Sequence, residues 1–198
     1  MAASERDAVK RAAWWDETLL LPLADLVFLD ETGTNTAMTP RYGWAPTGSR
    51  ATGAAPRNHG PNVTLVTTLS LAGLGSPMVI DGPMTTLAFE AYVAQVLVPT
   101  LRPGQIVVLD NLSAHTSQRT RALIEAAGCS LRFLPPYSPD FSPIEWAFSK
   151  LKTWLRQAAA RTSASLDGAI AAGLRRITRT DARGWFAGCG YDVTSQPL

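Results

Sequence analysis

Cysteine and histidine are scarce in this sequence, with two of each in 198 residues. Cys129 and Cys189 lie far apart, which excludes both the closely spaced pairs of a zinc site and the density of a secreted disulfide scaffold. With only His59 and His115 available, a histidine-based catalytic site has few candidates. Long apolar runs are missing too. LLLPLADLVFL is short and interrupted by Pro22 and Asp25, so it does not span a bilayer. The opening MAASERDAVKRAAWWDE has no apolar centre of a signal peptide, and a cytoplasmic protein without membrane partners is expected. There is no G-x-S-x-G elbow, no phosphate loop ending in G-K and no dinucleotide fingerprint at a strand-to-helix turn. Nor is either charge sign in excess: the formal net charge of +2 does not announce a nucleic-acid partner by itself.

What is present is enough apolar material, 46% of the chain, for one well-packed core. Residues 1–198 read as a single α/β domain, with an amphipathic edge helix inside 1–22 carrying Trp14 and Trp15. A basic helical extension covers 160–198; from Lys150 to Arg183 eight bases stand against Asp167 and Asp181. DLVFLDE and QIVVLDN are short apolar runs ending in acid, the mark of buried strands with carboxylates at their mouths. NVTLVTTLSLAG and MVIDG, separated by a Gly-Ser-Pro turn, predict an antiparallel meander after the first strand. The Gly- and Pro-rich stretch before them predicts loops around a short strand near Tyr42 to Ala45. Helices are expected from Thr85 to Leu101, Ser117 to Ala127, Ser142 to about Ala159 and Ser165 to Ile177, with SLRFLPP as the last strand. Three strands, then strand-helix units adding parallel strands, is the order of a ribonuclease-H-like mixed sheet flanked by helices.

Three acids stand out in that frame. Asp30 ends the first apolar strand, Asp110 ends the fourth, and Glu145 opens the helix after the fifth. Acids at the same end of neighbouring strands converge, and converging carboxylates repel one another unless a cation is present. Oxygen donors without nearby Cys or paired His favour Mg2+ or Mn2+ over zinc. Two such ions can activate an attacking oxygen and stabilise a leaving oxygen at a phosphodiester. The bland alternatives stay open residue by residue: Asp-Asn is turn-prone, and Ser142 with Glu145 fits a helix capping box with Pro143 at the first helical position. They leave unexplained why two buried strands both end in Asp.

Taken together, LVFLDETGTNTAMTPRYGWAPTGSR, VVLDNLSAHTS and LRFLPPYSPDFSPIEWAFSKLK resemble the three catalytic blocks of the mariner-type superfamily of DDE transposases, in its bacterial insertion-sequence branch. The 34 residues between Asp110 and Glu145 match an interval typical of that superfamily. The resemblance implies a ribonuclease-H-like fold, with Asp30, Asp110 and Glu145 as catalytic and metal-binding residues for two Mg2+ or Mn2+ ions. It implies cleavage at element ends and joining of the freed 3′-hydroxyl to target DNA, typically at TA, by a dimer or higher assembly. Relatives usually carry a helix-turn-helix region before the catalytic domain; this chain starts near the domain edge, so that region is expected on a separate polypeptide, joined by frameshifting, or lost. Relatives also commonly have Asn where this chain has Ser142.

Other residues divide between roles. Glu31 should face away from Asp30 if the strand continues past it. Asn111 and His115 could position phosphate or simply bond their loop, and Tyr137 could touch DNA or belong to a proline-stiffened approach to Glu145. Lys152, seven positions after Glu145, could reach a phosphate, and Arg41 and Arg50 flank the Gly- and Pro-rich loop. Trp146, Phe148 and Leu151 read as core, and Trp185 and Phe186 as a hydrophobic clasp. Two competing functions remain at this level: a general ribonuclease or repair nuclease, and a non-catalytic truncated product that binds DNA or a full-length transposase.

Overall fold

The computed structural model describes residues 6–111 and 117–194. β1 (Leu26–Thr34), β2 (Val63–Ser70), β3 (Gly73–Asp81), β4 (Ile106–Leu109) and β5 (Ser130–Phe133) form one sheet in the order β3-β2-β1-β4-β5. β1, β2 and β3 pair antiparallel, while β4 runs parallel to both β1 and β5. Among the described residues the α-helices are α1 (Ala8–Thr18), α2 (Thr86–Tyr92), α3 (Gln118–Ala126), α4 (Ile144–Ala158), α5 (Ser163–Leu174) and α6 (Arg179–Gly188). After Tyr92 the chain continues as a π-turn over Val93–Leu97 and a 3-10 turn over Val98–Thr100, so the expected long helix has three windings.

Strand side chains alternate between faces, and two cores follow. Leu26, Phe28, Ile106 and Val108 join Ile144, Ala147, Phe148 and Leu151 of α4 and Leu166, Ile170, Ala182 and Phe186 of α5 and α6. Leu29, Val107 and Leu109 pack on the opposite face against Phe89, Tyr92, Val93 and Ile124. The expected basic extension is therefore part of the core: Phe186 meets Phe28 edge-on at 5.4 Å. Helix α6 follows the last of the expected helices and has a start signal of its own in the sequence. Thr178 and Asp181 form a reciprocal capping box at its start, the T-x-x-D form of that motif.

Other expectations are corrected. No strand forms near Tyr42 to Ala45, where Tyr42 and Trp44 are fully exposed and pack on nothing that would hold the segment against the sheet. The turn between β2 and β3 is at Leu71 and Ala72, and Gly75-Ser76-Pro77 lies inside β3 as a bulge. Its backbone groups are taken by side chains: Thr67 donates to the Gly75 carbonyl and Tyr92 to the Ser76 carbonyl, both at 2.8 Å.

Helices α4 and α5 meet closely at Gly173. A Cβ there would lie 2.5 Å from Leu151 Cδ1 and 2.6 Å from Trp154 Cδ1. Gly173→Ala is expected to cost about 1 kcal/mol, because overpacking outweighs the better helix propensity of alanine. Gly168→Ala in the same helix, where a Cβ meets nothing within 4 Å, should gain about 0.5–1 kcal/mol. Urea melts of the two variants should give midpoint shifts of opposite sign.

Candidate active site

The register of the parallel pair brings the first two acids together. Phe28 of β1 pairs with Val108 of β4. Two residues further on, Asp30 and Asp110 stand level on the face that Phe28 and Val108 share with α4. β4 ends at Leu109 while β1 runs on to Thr34 against β2, which opens a cleft at the carboxyl end of the parallel strands. Asp30 is thus mid-strand rather than at a strand end. Glu145 enters from the first turn of α4, and all three acids line one cavity of about 420 Å3 with Asn111, Tyr137 and Ser142. Ligand sites outside the carboxyl ends of parallel strands, where strand order reverses, are a general property of open sheets.

The cavity is electrostatically uncomfortable. The Asp30 carboxyl is pushed up to about 8, first by burial and then by the nearby Glu145, Asp110 and Glu31 carboxylates, against the pull of the Glu31 N–H bonded to its Oδ1 at 2.7 Å. Glu31 itself faces the other core, where the Tyr92 phenol is raised first by burial and then by the Glu31 charge. That matches the alternation expected if the strand continued.

The segment before α4 is held from several sides. Asn111 donates from Nδ2 to the Leu134 carbonyl at 2.6 Å, tying the Asp110 loop to the Glu145 approach. Ser138 is buried and donates to the Pro136 carbonyl, and the Tyr191 hydroxyl donates to the Phe141 carbonyl at 2.7 Å. Asp140 is gripped by Arg6 at 2.5 Å and Arg11 at 2.7 Å, and Arg11 lies over the Phe141 ring. Trp14 stacks on the same ring. Helix α1 therefore braces the turn that presents Glu145. The partners are more than a hundred residues apart in sequence, and no local pattern marks them.

Burial pushes the Asp140 carboxyl up, but hydrogen bonds and charge from Arg11 and Arg6 outweigh it and hold it below its usual value. A lowered folded value means the clamp stabilises fully above about pH 4 and loses its contribution as pH falls through the folded value. Asp140→Ala should cost roughly 1 kcal/mol at neutral pH, discounted for the half-exposed carboxylate. The difference from wild type should close progressively as thermal melts are carried below about pH 4 and through the lowered folded value.

The capping box is not formed. Pro143 is already helical, at φ −65° and ψ −19°, and Ser142 is extended, but no side chain caps α4. The Glu145 amide goes to the Ser142 carbonyl at 3.3 Å instead, so the Glu145 carboxylate is not spent on its own helix terminus. Lys152, Arg41 and Arg50 do not line the acidic cavity. Arg41 lines a second cavity with Thr39 to Gly43 and Ala51 to Ala55, and its charge lies near the half-buried Arg156 of α4. His115 lies outside the described residues. Phe148 and Leu151 are core as expected, but Trp146 is 53% exposed because it follows Glu145 on the open side of α4.

Among the described residues no three His, Cys, Asp or Glu side chains are arranged to hold a single ion. The donor set is nonetheless that of a hard cation: three carboxylates around one cavity, one of them resisting ionisation. Mg2+ takes only one or two protein carboxylates and fills its shell with water and phosphate oxygens, so pairs among these acids suffice. Among the described residues no helix is long and apolar enough to cross a membrane.

A family model for the DDE superfamily endonucleases matches residues 25–167, a span that contains all three acids and leaves α1 and α6 outside. No curated protein sequence matches the chain. Among solved structures, the Mos1 mariner paired end complex with Mn superposes with a TM-score of 0.73 at 16% identity, over 96% of this chain and 61% of that one. The Mos1 transposase catalytic domain with raltegravir and Mg gives 0.69 at 14% identity, over 96% and 90%. A simian T-cell lymphotropic virus intasome in complex with the PP2A regulatory subunit B56 gamma gives 0.57 at 17%, over 90% and 59%. These likenesses establish the ribonuclease-H-like fold. The chain spans less than two thirds of the transposase in the paired end complex.

Proposed function

Since this chain belongs to the DDE superfamily endonucleases, we propose that it is the catalytic part of an insertion-element transposase that cuts and rejoins DNA phosphodiesters with divalent metal. Asp30, Asp110 and Glu145 are the residues assigned to the metal and the chemistry. The observation that supports this most is their meeting in one cavity although they come from two strands and a helix.

Each acid has a definable task. Asp30 is fixed by its bond from the Glu31 amide and lines the cavity. Asp110 stands level with it on the neighbouring strand, and Glu145 approaches from α4 with its helix terminus satisfied by backbone. Carboxylate pairs held this way suit Mg2+ or Mn2+, two ions in the active complex. When bound, such ions activate the attacking oxygen and stabilise the leaving one. The same residues serve hydrolysis by water and attack by a DNA 3′-hydroxyl, since both are displacements by oxygen at phosphorus. The substrate is element-end DNA joined to a target, with TA as the expected target step, in a dimer or larger assembly in the cytoplasm. The Mos1 structures named as paired end complexes support multimeric action on DNA by a protein of this fold.

Purified chain incubated with duplex carrying element ends should give metal-dependent nicks and joints in Mg2+ or Mn2+ and none in EDTA, with RNA–DNA hybrid processed poorly. Cleavage of hybrid in preference to DNA would make it a ribonuclease of the same fold. Tight DNA binding without cleavage in either metal would make it a non-catalytic remnant.

A further inference from the structure

The rim of the acidic cavity carries an exposed aromatic residue in an unfavourable backbone conformation. Tyr137 has φ +53°, one of three non-glycine residues with positive φ among the described residues. Bulky side chains rarely adopt this region, and such strain persists only where the surroundings over-determine it. Here they do: Ser138, buried beside it, bonds the Pro136 carbonyl, and Pro139 and the Asp140 clamp follow. Glycine or asparagine would fit this backbone without the cost. The position instead holds an aromatic ring that is 58% exposed and lines the cavity with Asp30, Asp110 and Glu145.

Burial does not account for a ring so exposed, and the site's own chemistry suggests what does. Carboxylates attract metal but repel the phosphate backbone, so a substrate strand needs an uncharged hold close to them. An aromatic face supplies one by stacking with a base, independently of sequence, provided the base is unpaired. We propose that Tyr137 is the stacking platform for an unpaired base next to the scissile phosphate, held in place by its strained, proline-flanked backbone. This rests on the DNA chemistry proposed above for the same cavity. It makes Tyr137 a substrate-positioning residue that acts through the base and leaves the metal ligands alone.

The test uses the full chain, Ca2+ in place of a catalytic metal, and duplexes with a short 3′ overhang in which 2-aminopurine is scanned through the unpaired positions. Wild type and Tyr137→Phe should quench the probe at one position near the cut and bind alike. Tyr137→Gly and Tyr137→Asn should lose the quench and bind about tenfold more weakly in Ca2+, and in a parallel cleavage assay in Mg2+ they should raise KM more than they lower kcat. Both should melt at or above the wild-type temperature, because they relieve the strain. Unchanged quenching in Tyr137→Gly would overturn the inference, as would equal losses in Tyr137→Phe, which would make the hydroxyl rather than the ring the active part. A lower melting temperature in both Gly and Asn variants would also overturn it. If wild type processes and binds no DNA, the parent reading falls and this one with it; if wild type cleaves normally and only the stacking signal is absent, this inference alone falls.

Discussion

Asp110→Asn and Glu145→Gln are each expected to lower DNA cleavage in Mg2+ by about 10³-fold or more while leaving the protein folded. The reason is positional. Glu145 is exposed in the first turn of α4 and its amide is satisfied by the Ser142 carbonyl, so its carboxylate contributes at most a modest helix-dipole term of about 0.5 kcal/mol. Asp110 lies just beyond β4, outside the ladder that holds the sheet. Neutral isosteres keep the shape and remove the charge on which a hard cation depends. Single-turnover cleavage, with circular dichroism melts of the same samples, checks both halves of the expectation. Wild-type rates in either variant would remove that residue from the chemistry.

Asp30→Asn is expected to kill cleavage and yet stabilise the metal-free protein. The folded value of Asp30 is raised to about 8 from an ordinary 3.8. Between those values the folded state binds more protons than the unfolded one, so stability falls as pH rises from about 4 to about 8 and levels off above that. Below about pH 4 the carboxyl is neutral in both states and no penalty remains. Asparagine removes the penalty while its side-chain oxygen can still accept the Glu31 amide. The gain at pH 8 should be of order 5 kcal/mol in the absence of metal, shrinking to nothing near pH 4. Divalent metal should reverse the ranking, stabilising wild type at pH 8 and leaving the variant unchanged. Urea melts at both pH values, with and without Mn2+, contain the whole pattern. A destabilised Asp30→Asn at pH 8 would show that the cavity does not strain this carboxylate.

The parts of this fold legible in the sequence are those set by local pattern. Buried apolar runs ending in Asp30 and Asp110 marked β1 and β4, and the order of elements gave the mixed sheet. The face of Glu31 followed from strand alternation alone. Where the outcome depended on distant partners, the sequence was silent or misleading. Tyr42 to Ala45 looks like a strand until one asks which edge would pair with it. Gly75-Ser76-Pro77 looks like a turn, but Thr67 and Tyr92 satisfy its carbonyls and the strand passes through. Ser142 and Glu145 fit a capping box, yet backbone takes the bond. The clamp of Arg6 and Arg11 on Asp140 is tertiary, as is the strain at Tyr137. For the site, the acids were readable because their types and intervals carry chemistry, whereas the bracket that aims them is a property of packing.

The central claim is that Asp30, Asp110 and Glu145 act as one divalent-metal site. Anomalous diffraction from crystals soaked in Mn2+ tests it most directly. The account predicts manganese peaks between Asp30 and Asp110 and toward Glu145 in the wild-type protein, and none in Asp110→Asn. Crystals saturated with Mn2+ that show no peak in this cavity, or the same peaks in Asp110→Asn, would contradict it.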